Sequence, residues 1–415
     1  MALHVLSLVP ADARARAALV CRAWRALTGE RSLWTTLDLS RKSGVPHPVS
    51  DALLRGAAAA AGGRLTALNL KDCKLLTSAA QLEVVIANAG SLRELKRAPS
   101  SFMPFAAVDA LARAAPQLQT FEVHAQASVA EAIRMLRNDA PFDQLQLLGL
   151  LVTHTGGAHE AVHDLADAVS KHCALAHLAM QEFPFDSPAL LDAVVAAALA
   201  NRLRTLLFNY CQLSPASVPA LVRSLQGGVM DMLGIFEDGR QMLDEPAAAL
   251  LAGAFAAHRT LAHVHLCGVD FWRDDAAAAV VLRAFTGHQS LRELALDQNN
   301  PPDEAFAGTA LAAVVAANTP ALCTLDVHDS ALGDVGMRPL LDALERNTHL
   351  RELTGVTTGM SAAFARDRFL PAIRANTSLR KLEASQFWGG IEHAQAPPEV
   401  LEAEALVAAR AAAEA

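Results

Sequence analysis

Histidine, cysteine and carboxylate side chains recur in three stretches whose starts lie about 30 residues apart. These are His263, His265 and Cys267 in the first stretch, Glu293 and Asp297 in the second, and Asp326, His328 and Asp329 in the third. If the stretches form neighbouring strands about 4.8 Å apart, then Cys267, Asp297 and His328 would stand in a row. All three side-chain types bind zinc, so a zinc site is one interpretation. Because no ligand pair of the CxxC or helical type accompanies them, an acidic, His-rich surface for a basic peptide is favoured. Its histidines would respond to pH near neutrality.

No catalytic motif accompanies these residues. The sequence contains no GxSxG, HExxH, P-loop or GxGxxG in a suitable context. His154, His159 and His163 lie close to Thr153 and Thr155, but loop and helix-surface positions explain them better than a nucleophile with its base. We therefore expect a protein that is not an enzyme and that uses no cofactor and no metal.

Repeated strands are the elements that must position these residues. The stretch Leu291-Arg-Glu-Leu-Ala-Leu296 has apolar residues at relative positions 0, 3 and 5, and side chains alternate between the two faces of a strand. Successive first apolar positions lie about 28 residues apart, within the range of leucine-rich repeats. They are Leu65, Leu92, Leu118, Leu145, Leu175, Leu203, Met230, Leu261, Leu291, Leu322, Leu350 and Leu379.

The predicted fold class is α/β, a leucine-rich-repeat solenoid. About 12 repeats over residues 51–390 would form a curved horseshoe with a parallel sheet on the concave side and helices outside. Trp34, Leu37 and Leu39 suggest a shorter first unit. The cycle from Leu322 to Leu350 resembles the ribonuclease-inhibitor-like subclass. Residues 391–415 are expected to form a helix that covers the last repeat or frays.

Three repeats lack the usual third apolar residue. The units that start at Leu92, Leu350 and Leu379 have Arg97, Gly355 and Ala384 at relative position 5. We expect strand packing to be weakest there.

The concave face is the predicted binding surface, and relative positions 2, 4 and 6 of each unit should point to it. In the middle units these positions and their neighbours are mostly apolar, namely Leu147, Gly149, Leu151, Leu207, Tyr210, Met232 and Phe236. Exposed apolar patches often mark partner contacts. The alternative is that some of these side chains turn inward or lie beneath a loop. The predicted substrate-binding set is Leu151, Tyr210, Met232, Phe236, His263, His265, Glu293, Asp297, Asp326 and His328.

Composition bears on the partner and the compartment. The formal net charge is -8 and no cluster of Lys and Arg stands out, so nucleic acid is not an expected partner. The six cysteines are scattered, and Cys73 and Cys211 occupy the eighth position after the first Leu, where leucine-rich repeats often have Asn or Cys. They are predicted to be small buried residues in a reducing compartment.

No membrane partner is expected either. The N-terminus lacks the pattern of a secretory signal peptide. Residues 305–325 are uncharged and long enough to span a bilayer, but they include Asn318-Thr-Pro320 and end in a repeat strand. We interpret this run as a buried repeat helix followed by a turn. The expected location is the cytoplasm, with the nucleus as a further possibility.

Residues 3–40 differ in composition from the repeats and resemble a known motif. The stretches Leu8-Val9-Pro10-Ala-Asp12, Ala18-Leu-Val-Cys-Arg-Ala-Trp-Arg-Ala-Leu27 and Leu33-Trp34-Thr-Thr-Leu37 are similar to the F-box, including its VCRxW helix and its LW-x-x-L ending. The resemblance implies a helical segment that binds the Skp adaptor of a cullin-based ubiquitin ligase. The implied adaptor-binding residues are Leu6, Leu8, Pro10, Leu19, Val20, Cys21, Trp24, Leu27, Leu33, Trp34 and Leu37. The alternative is a segment that only covers the open end of the solenoid.

Three functions fit these observations. The favoured one is a noncatalytic substrate-recognition subunit of an SCF-type E3 ubiquitin ligase, with the F-box-like segment at residues 3–40, a linker at residues 41–50 and an unknown protein substrate on the repeats. The second is a leucine-rich-repeat scaffold for protein interactions without a ligase link. The third is a small-GTPase regulator, because activators of Ran resemble this subclass, but a shared fold is weak support for a shared function.

Overall fold

A computed structural model describes residues 31–40, 49–97, 102–142, 145–154, 159–172, 174–185, 188–227, 229–239, 242–328, 330–355, 359–384 and 396–414. The chain divides into two compact units, Met1–Ala179 and Met180–Ala415.

The first unit alternates short strands with helices after a 3₁₀ turn at Arg31–Trp34. Its elements are β1 (Thr36–Asp38), α1 (Asp51–Ala61), β2 (Ala67–Asn69), α2 (Ser78–Ala87), β3 (Glu94–Arg97), β4 (Met103–Pro104), α3 (Phe105–Ala114), β5 (Thr120–Ser128), α4 (Val129–Leu136), β6 (Leu145–Thr153) and α5 (His159–Lys171). Strands β1, β2, β3, β5 and β6 pair in that order, all parallel, and β4 pairs with β5. A further strand, β7 (His177–Gln181), spans the point where the chain divides.

The second unit repeats the same plan. Its elements are α6 (Pro188–Ala200), β8 (Thr205–Asn209), α7 (Val218–Gln226), β9 (Met232–Phe236), α8 (Glu245–Ala257), β10 (His263–Cys267), α9 (Asp275–Phe285), β11 (Glu293–Ala295), α10 (Glu304–Ala316), β12 (Thr324–Asp326), α11 (Gly333–Leu344), β13 (Glu352–Thr354), α12 (Ala362–Phe364), α13 (Leu370–Ala375), β14 (Lys381–Glu383) and α14 (Pro398–Glu414), with 3₁₀ turns at Pro215–Ser217 and Phe271–Arg273 and a π-helical turn at Ala365–Phe369. Strands β8 to β14 pair in sequence order, all parallel.

The repeat positions predicted from the sequence form the core. All twelve first apolar residues, from Leu65 to Leu379, are buried. The third residue after each of them is buried as well, with the exception of half-buried Leu148. Parallel strands joined by helices at a constant period are the leucine-rich-repeat fold, so the predicted fold class is confirmed.

The eighth position of a repeat ties that repeat to its neighbour. The thiols of Cys73 and Cys211 are buried and lie 3.2 Å and 3.3 Å from the carbonyl oxygens of Leu39 and Met180, one repeat earlier. Asn299 occupies the same position and donates through Nδ2 to the Leu266 carbonyl at 2.6 Å. Both cysteines are therefore small buried residues, as predicted, and their thiols connect each of these repeats to the preceding one.

A second ladder of polar side chains lies where helices end. His288 accepts the Leu291 N–H at Nδ1 (3.1 Å), and its Nε2 lies 3.0 Å from the Phe255 carbonyl. Asn376 accepts the Leu379 N–H at 2.9 Å and donates to the Leu344 carbonyl at 2.8 Å. These buried side chains connect each repeat to the preceding one at the turn from helix to strand.

Helix starts follow the local sequence. Asp244 and Asp303 accept the N–H groups of Ala247 and Phe306 and so satisfy donors that the first helical turn leaves free. Later in the array two helices come unusually close. A Cβ atom added to Gly308 in α10 would lie 1.9 Å from the Gly336 carbonyl oxygen in α11. Only glycine fits this contact.

The final helix packs on the last repeat. Val400, Ala403 and Val407 of α14 are fully buried, and Glu404 accepts the Ala384 N–H at 2.6 Å. The uncharged run at residues 305–325 contains most of α10, then a turn, then the start of β12. Among the described residues, no helix is both long and apolar enough to cross a bilayer.

Candidate functional site

The helices leave one face of each sheet uncovered, and we call this the open face. In the second unit, strand register places side chains on this face in rows. One row contains Met232, His263 and Glu293, and the next contains Gly234 and His265. Continued pairing along β11 and β12 places Ala295 opposite Asp326. The predicted histidines and carboxylates are thus brought together on neighbouring strands.

Glu293 is the centre of a cluster with two histidines. Its carboxylate oxygens lie 2.9 Å from His263 Nδ1 and 3.1 Å from His265 Nε2. The hydrogen bonds from His263 and His265 hold the pKa of Glu293 well below its usual range, and the hydrogen bond to Glu293 raises the pKa of His263. The cluster is an ion pair when His263 is protonated.

A second pair follows on β12. His328 Nδ1 lies 2.8 Å from Oδ1 of Asp326, and the His328 backbone N–H donates to the same oxygen at 3.1 Å. Oδ2 of Asp326 accepts no hydrogen bond from any residue that the structure describes. This oxygen is available to a partner.

The backbone segments that contain Cys267, Asp297 and His328 lie next to one another, as the predicted row requires. The Gly268 N–H donates to the Asp297 carbonyl at 3.0 Å, and the Gln298 N–H donates to the His328 carbonyl at 2.7 Å. The Cys267 side chain is buried, as predicted for the cysteines, and so it does not join a row of side chains on the open face. Burial first, and the Asp297 carboxylate second, raise the pKa of the Cys267 thiol far above its usual range.

A zinc site is not supported by this arrangement. Metal binding needs a thiolate, and the surroundings of Cys267 favour the protonated thiol. Among the described residues, no group of three or more His, Cys, Asp and Glu side chains has a geometry that could hold a metal ion. Asp329 lies outside the described residues.

Two buried oxygens near this row lack partners. Oδ1 of Asp297 and Oγ1 of Thr354 are inaccessible to solvent and form no hydrogen bond. Thr354 pairs in register with Asp326 and is 5% exposed. Both oxygens are inaccessible at the surface, so neither is exposed to a partner on the open face.

The apolar part of the open face lies on β8 and β9. Leu207, Met232 and Phe236 are half-buried. A Cβ atom on Gly234 would meet Leu207 at 2.7 Å and Phe236 at 2.9 Å, so these two side chains cover the space above Gly234. The Phe236 ring stands edge-on to His265 at 5.8 Å, which joins the apolar part to the histidines.

Tyr210 extends this apolar part and is 51% exposed. Its backbone is left-handed, with φ of 54°, and its N–H donates to the Phe236 carbonyl. The next residues are held by Glu237, whose buried carboxylate accepts the N–H groups of Cys211 (3.1 Å), Gln212 (3.2 Å) and Leu213 (3.2 Å). Glu237 was not singled out from the sequence, and the only signal for it is a carboxylate directly after a buried strand.

In the first unit, the prediction for Leu147 was wrong. Leu147 is fully buried, whereas Leu151 is half-buried on the surface as expected. Val123 pairs with Leu147 but His124 pairs with Gly149, so Leu148 has no partner on β5. The bulge follows Leu147, and Leu147 points to the core because it pairs with buried Val123, as Leu145 pairs with buried Phe121.

Several polar residues of the first open face were not anticipated. His124 is buried above Gly149 between Phe102 and His177, with ring centroids 5.6 Å and 5.3 Å away. Burial first, then the charges of His177, Arg97 and Lys71, lowers the pKa of His124 to about 4. Lys71 and Lys96 approach Glu122 at 2.8 Å and 3.8 Å.

The predicted adaptor-binding residues fall into two groups. Leu6, Leu8, Pro10, Leu19, Val20, Cys21, Trp24 and Leu27 lie outside the described residues. Leu33, Trp34 and Leu37 are 5%, 7% and 1% exposed. These three side chains belong to the core of the first unit, where β1 pairs with β2, and their contact with an adaptor stays a prediction.

Comparison with known proteins gives one match in sequence. Residues 1–40 match the family model described as F-box-like. No curated protein matches the chain.

Two solved structures are similar to the chain. The Rad7 and Elc1 complex of yeast has 13% identity, with 80% of this chain and 74% of that chain covered and a TM-score of 0.39. The leucine-rich-repeat protein LegL7 of Legionella pneumophila has 12% identity, 69% and 87% coverage and a TM-score of 0.46.

Proposed function

We propose that this chain, which joins an F-box-like segment to leucine-rich repeats, is a noncatalytic substrate-binding subunit of an SCF-type ubiquitin ligase. The F-box-like segment binds the Skp adaptor, and the open face of the repeats binds a protein substrate. The observation that carries the proposal is the F-box-like match at residues 1–40, whose last residues enter the first repeat.

The junction supports a receptor role. Leu33, Trp34 and Leu37 belong to the matched segment and are buried in the first unit. Since buried apolar side chains and a paired strand restrict motion, the end of the F-box-like segment is fixed to the repeats. A fixed junction would hold a bound substrate at a defined position relative to the adaptor.

The open face supports a protein ligand. It combines exposed Tyr210 and half-buried Phe236 with the carboxylates of Glu293, Asp297 and Asp326. Aromatic side chains are enriched at the centre of protein interfaces, and polar side chains form the rim around it. The formal net charge of -8 disfavours a nucleic acid at the same surface.

Calorimetric titration of the purified chain with a purified Skp adaptor tests the proposal. The variant Trp24→Ala removes the aromatic residue of the VCRxW motif, and loss of an interface tryptophan should weaken binding by about 30-fold or more. Asp326→Asn is the matched control, because it changes the open face only and should leave adaptor affinity unchanged. Far-UV circular dichroism verifies that both variants are folded. Equal adaptor affinity of the wild type and Trp24→Ala, or no binding by either, would contradict the proposal.

A further inference from the structure

We propose that the open face of the second unit binds an extended peptide that carries a lysine or arginine four residues away from a large apolar or aromatic side chain. The inference rests on the proposed role of this face in substrate capture and specifies the chemistry of the substrate. It follows from the juxtaposition of an apolar part and an acidic part on neighbouring strands of one sheet.

The apolar part would hold the aromatic side chain of the peptide. Leu207 and Phe236 lie on either side of Gly234, and Tyr210 stands beyond them, half exposed. These two side chains close over the buried Gly234 and form an apolar surface at this point of the open face. An aromatic ring placed on that surface would contact carbon atoms of both side chains.

The acidic part would hold the basic side chain. In the part of the chain that the structure describes, Asp326 Oδ2 accepts no hydrogen bond, and the Asp326 side chain is 31% exposed. A free carboxylate oxygen accepts hydrogen bonds, and an ammonium or guanidinium group supplies several donors with the complementary charge.

Among the described residues, no Lys or Arg pairs with Asp326, whose ion-pair partner is His328. On the open face of β13 and β14, Lys381 approaches Glu352 at 3.6 Å and Glu383 at 3.1 Å. Ala295 lies between His265 and Asp326 in the strand register and is 4% exposed, so neighbouring side chains cover it. The free oxygen of Asp326 carries a charge that favours an external cation.

The spacing of the two side chains follows from strand geometry. Gly234, which Leu207 and Phe236 cover, lies on β9 in the same register row as Asp326 on β12, three strand intervals or about 14 Å away at about 4.8 Å per interval. An extended chain rises about 3.3 Å per residue, so four residues cover this distance. Side chains four residues apart in an extended chain point to the same side, and both would therefore face the sheet.

Fluorescence polarisation with synthetic peptides and the full chain tests the inference. The probe is a fluorescein-labelled peptide with Lys-Gly-Ser-Gly-Phe at its centre. The comparison peptides replace Lys by Glu, replace Phe by Ala, or lengthen the spacing to eight residues. We expect the first peptide to bind at least tenfold more tightly than each of the other three, because charge-assisted hydrogen bonds and ring burial act together.

Variants locate the site. Asp326→Asn and Phe236→Ala should each weaken binding of the Lys-to-Phe peptide about tenfold. Asp342→Asn is the control, since this exposed carboxylate on helix α11 pairs with Arg368 away from the open face. Equal binding of all four peptides, or no binding, would overturn the inference. A dimer of the chain that dissociates on Phe236→Ala, with no peptide binding, would instead assign the face to self-association.

Failure of this inference can be separated from failure of the ligase role. Adaptor binding with no peptide preference would contradict the inference alone. Peptide preference that survives in a chain without adaptor affinity would contradict the ligase role alone.

Discussion

The buried histidine of the first unit should make the protein sensitive to acid. His124 lies beneath Phe102 and His177 and is 6% exposed. Its pKa in the folded protein is about 4, compared with 6.5 in an unfolded chain. Between these values the unfolded chain binds a proton that the native protein does not. The contribution of His124 to the free energy of unfolding is therefore fully present above pH 6.5 and decreases as the pH falls toward 4.

The size of the effect follows from the difference between the two pKa values. One pKa unit corresponds to about 1.4 kcal/mol, so the whole difference is worth about 3 kcal/mol. At pH 5, the unfolded chain is almost fully protonated at this position and the folded protein is not. The free energy of unfolding should then be about 2 kcal/mol lower than at pH 7.5 through His124 alone.

Urea unfolding followed by far-UV circular dichroism at pH 7.5 and pH 5.0 measures this contribution. His124→Gln removes the titrating ring. The free energy of unfolding of this variant should therefore decrease by about 2 kcal/mol less than that of the wild type between pH 7.5 and pH 5.0. His163→Gln, at an exposed position on α5, is the control and should behave as the wild type.

The comparison between variants is needed because other histidines also contribute to the pH dependence of stability. Burial also lowers the pKa values of His172 and His258, and their effects are common to all three proteins. The reasoning would be refuted if the free energy of unfolding of His124→Gln decreased between pH 7.5 and pH 5.0 by as much as that of the wild type. A nuclear magnetic resonance titration midpoint of His124 near 6.5 would refute it as well.

Two substitutions test the packing of the second unit. Glu237→Ala leaves three backbone N–H groups without their acceptor and should reduce the free energy of unfolding by about 3 kcal/mol or more. The control Asp238→Ala, at the exposed neighbouring carboxylate, should change this free energy by about 0.5 kcal/mol or less. Equal losses of the two variants in urea unfolding would contradict this account. Gly308→Ala places a methyl group 1.9 Å from the Gly336 carbonyl oxygen and should lower the melting temperature. The control Gly253→Ala, where nothing lies within 4 Å, should raise the free energy of unfolding by up to about 1 kcal/mol through helix propensity. A melting temperature raised by both changes would contradict the close contact at Gly308.

The periodic part of the fold could be predicted because it depends on local pattern. Apolar positions 0 and 3 recur in each unit, and burial of Leu65 through Leu379 follows from strand alternation and stacking. Cys73 and Cys211 were predictable for the same reason. The caps at Asp244 and Asp303 depend only on the residues that follow each of them.

The exceptions depend on neighbouring repeats. Leu147 points inward because it pairs with buried Val123 on β5, and a single repeat carries no sign of that pairing. Gly355 was expected to mark weak packing, yet a Cβ atom there would lie 2.2 Å from His328 Cα, so the backbones are in close contact. Leu33, Trp34 and Leu37 match a motif read as an adaptor surface, but pairing of β1 with β2 buries them.

The candidate site was predictable in composition and only partly in geometry. Strand period placed His263, Glu293 and Asp326 on one face, since residues at matching repeat positions become neighbours in a parallel sheet. Their pairing could not be predicted, because it depends on side-chain rotamers. Glu293 is shared by His263 and His265, whereas Asp326 bonds within its own loop to His328.

The C-terminal helix also bears on aggregation. The last strand of a parallel sheet presents unpaired backbone groups that can recruit strands from other molecules. Glu404 of α14 occupies the N–H of Ala384 beside β14, and the buried side chains of the helix fill the place where a further repeat would stack. The helix thus covers a sheet edge to which other strands could bind. A chain shortened before α14 would gain a surface for strand addition, and edge-to-edge polymers would be the expected outcome.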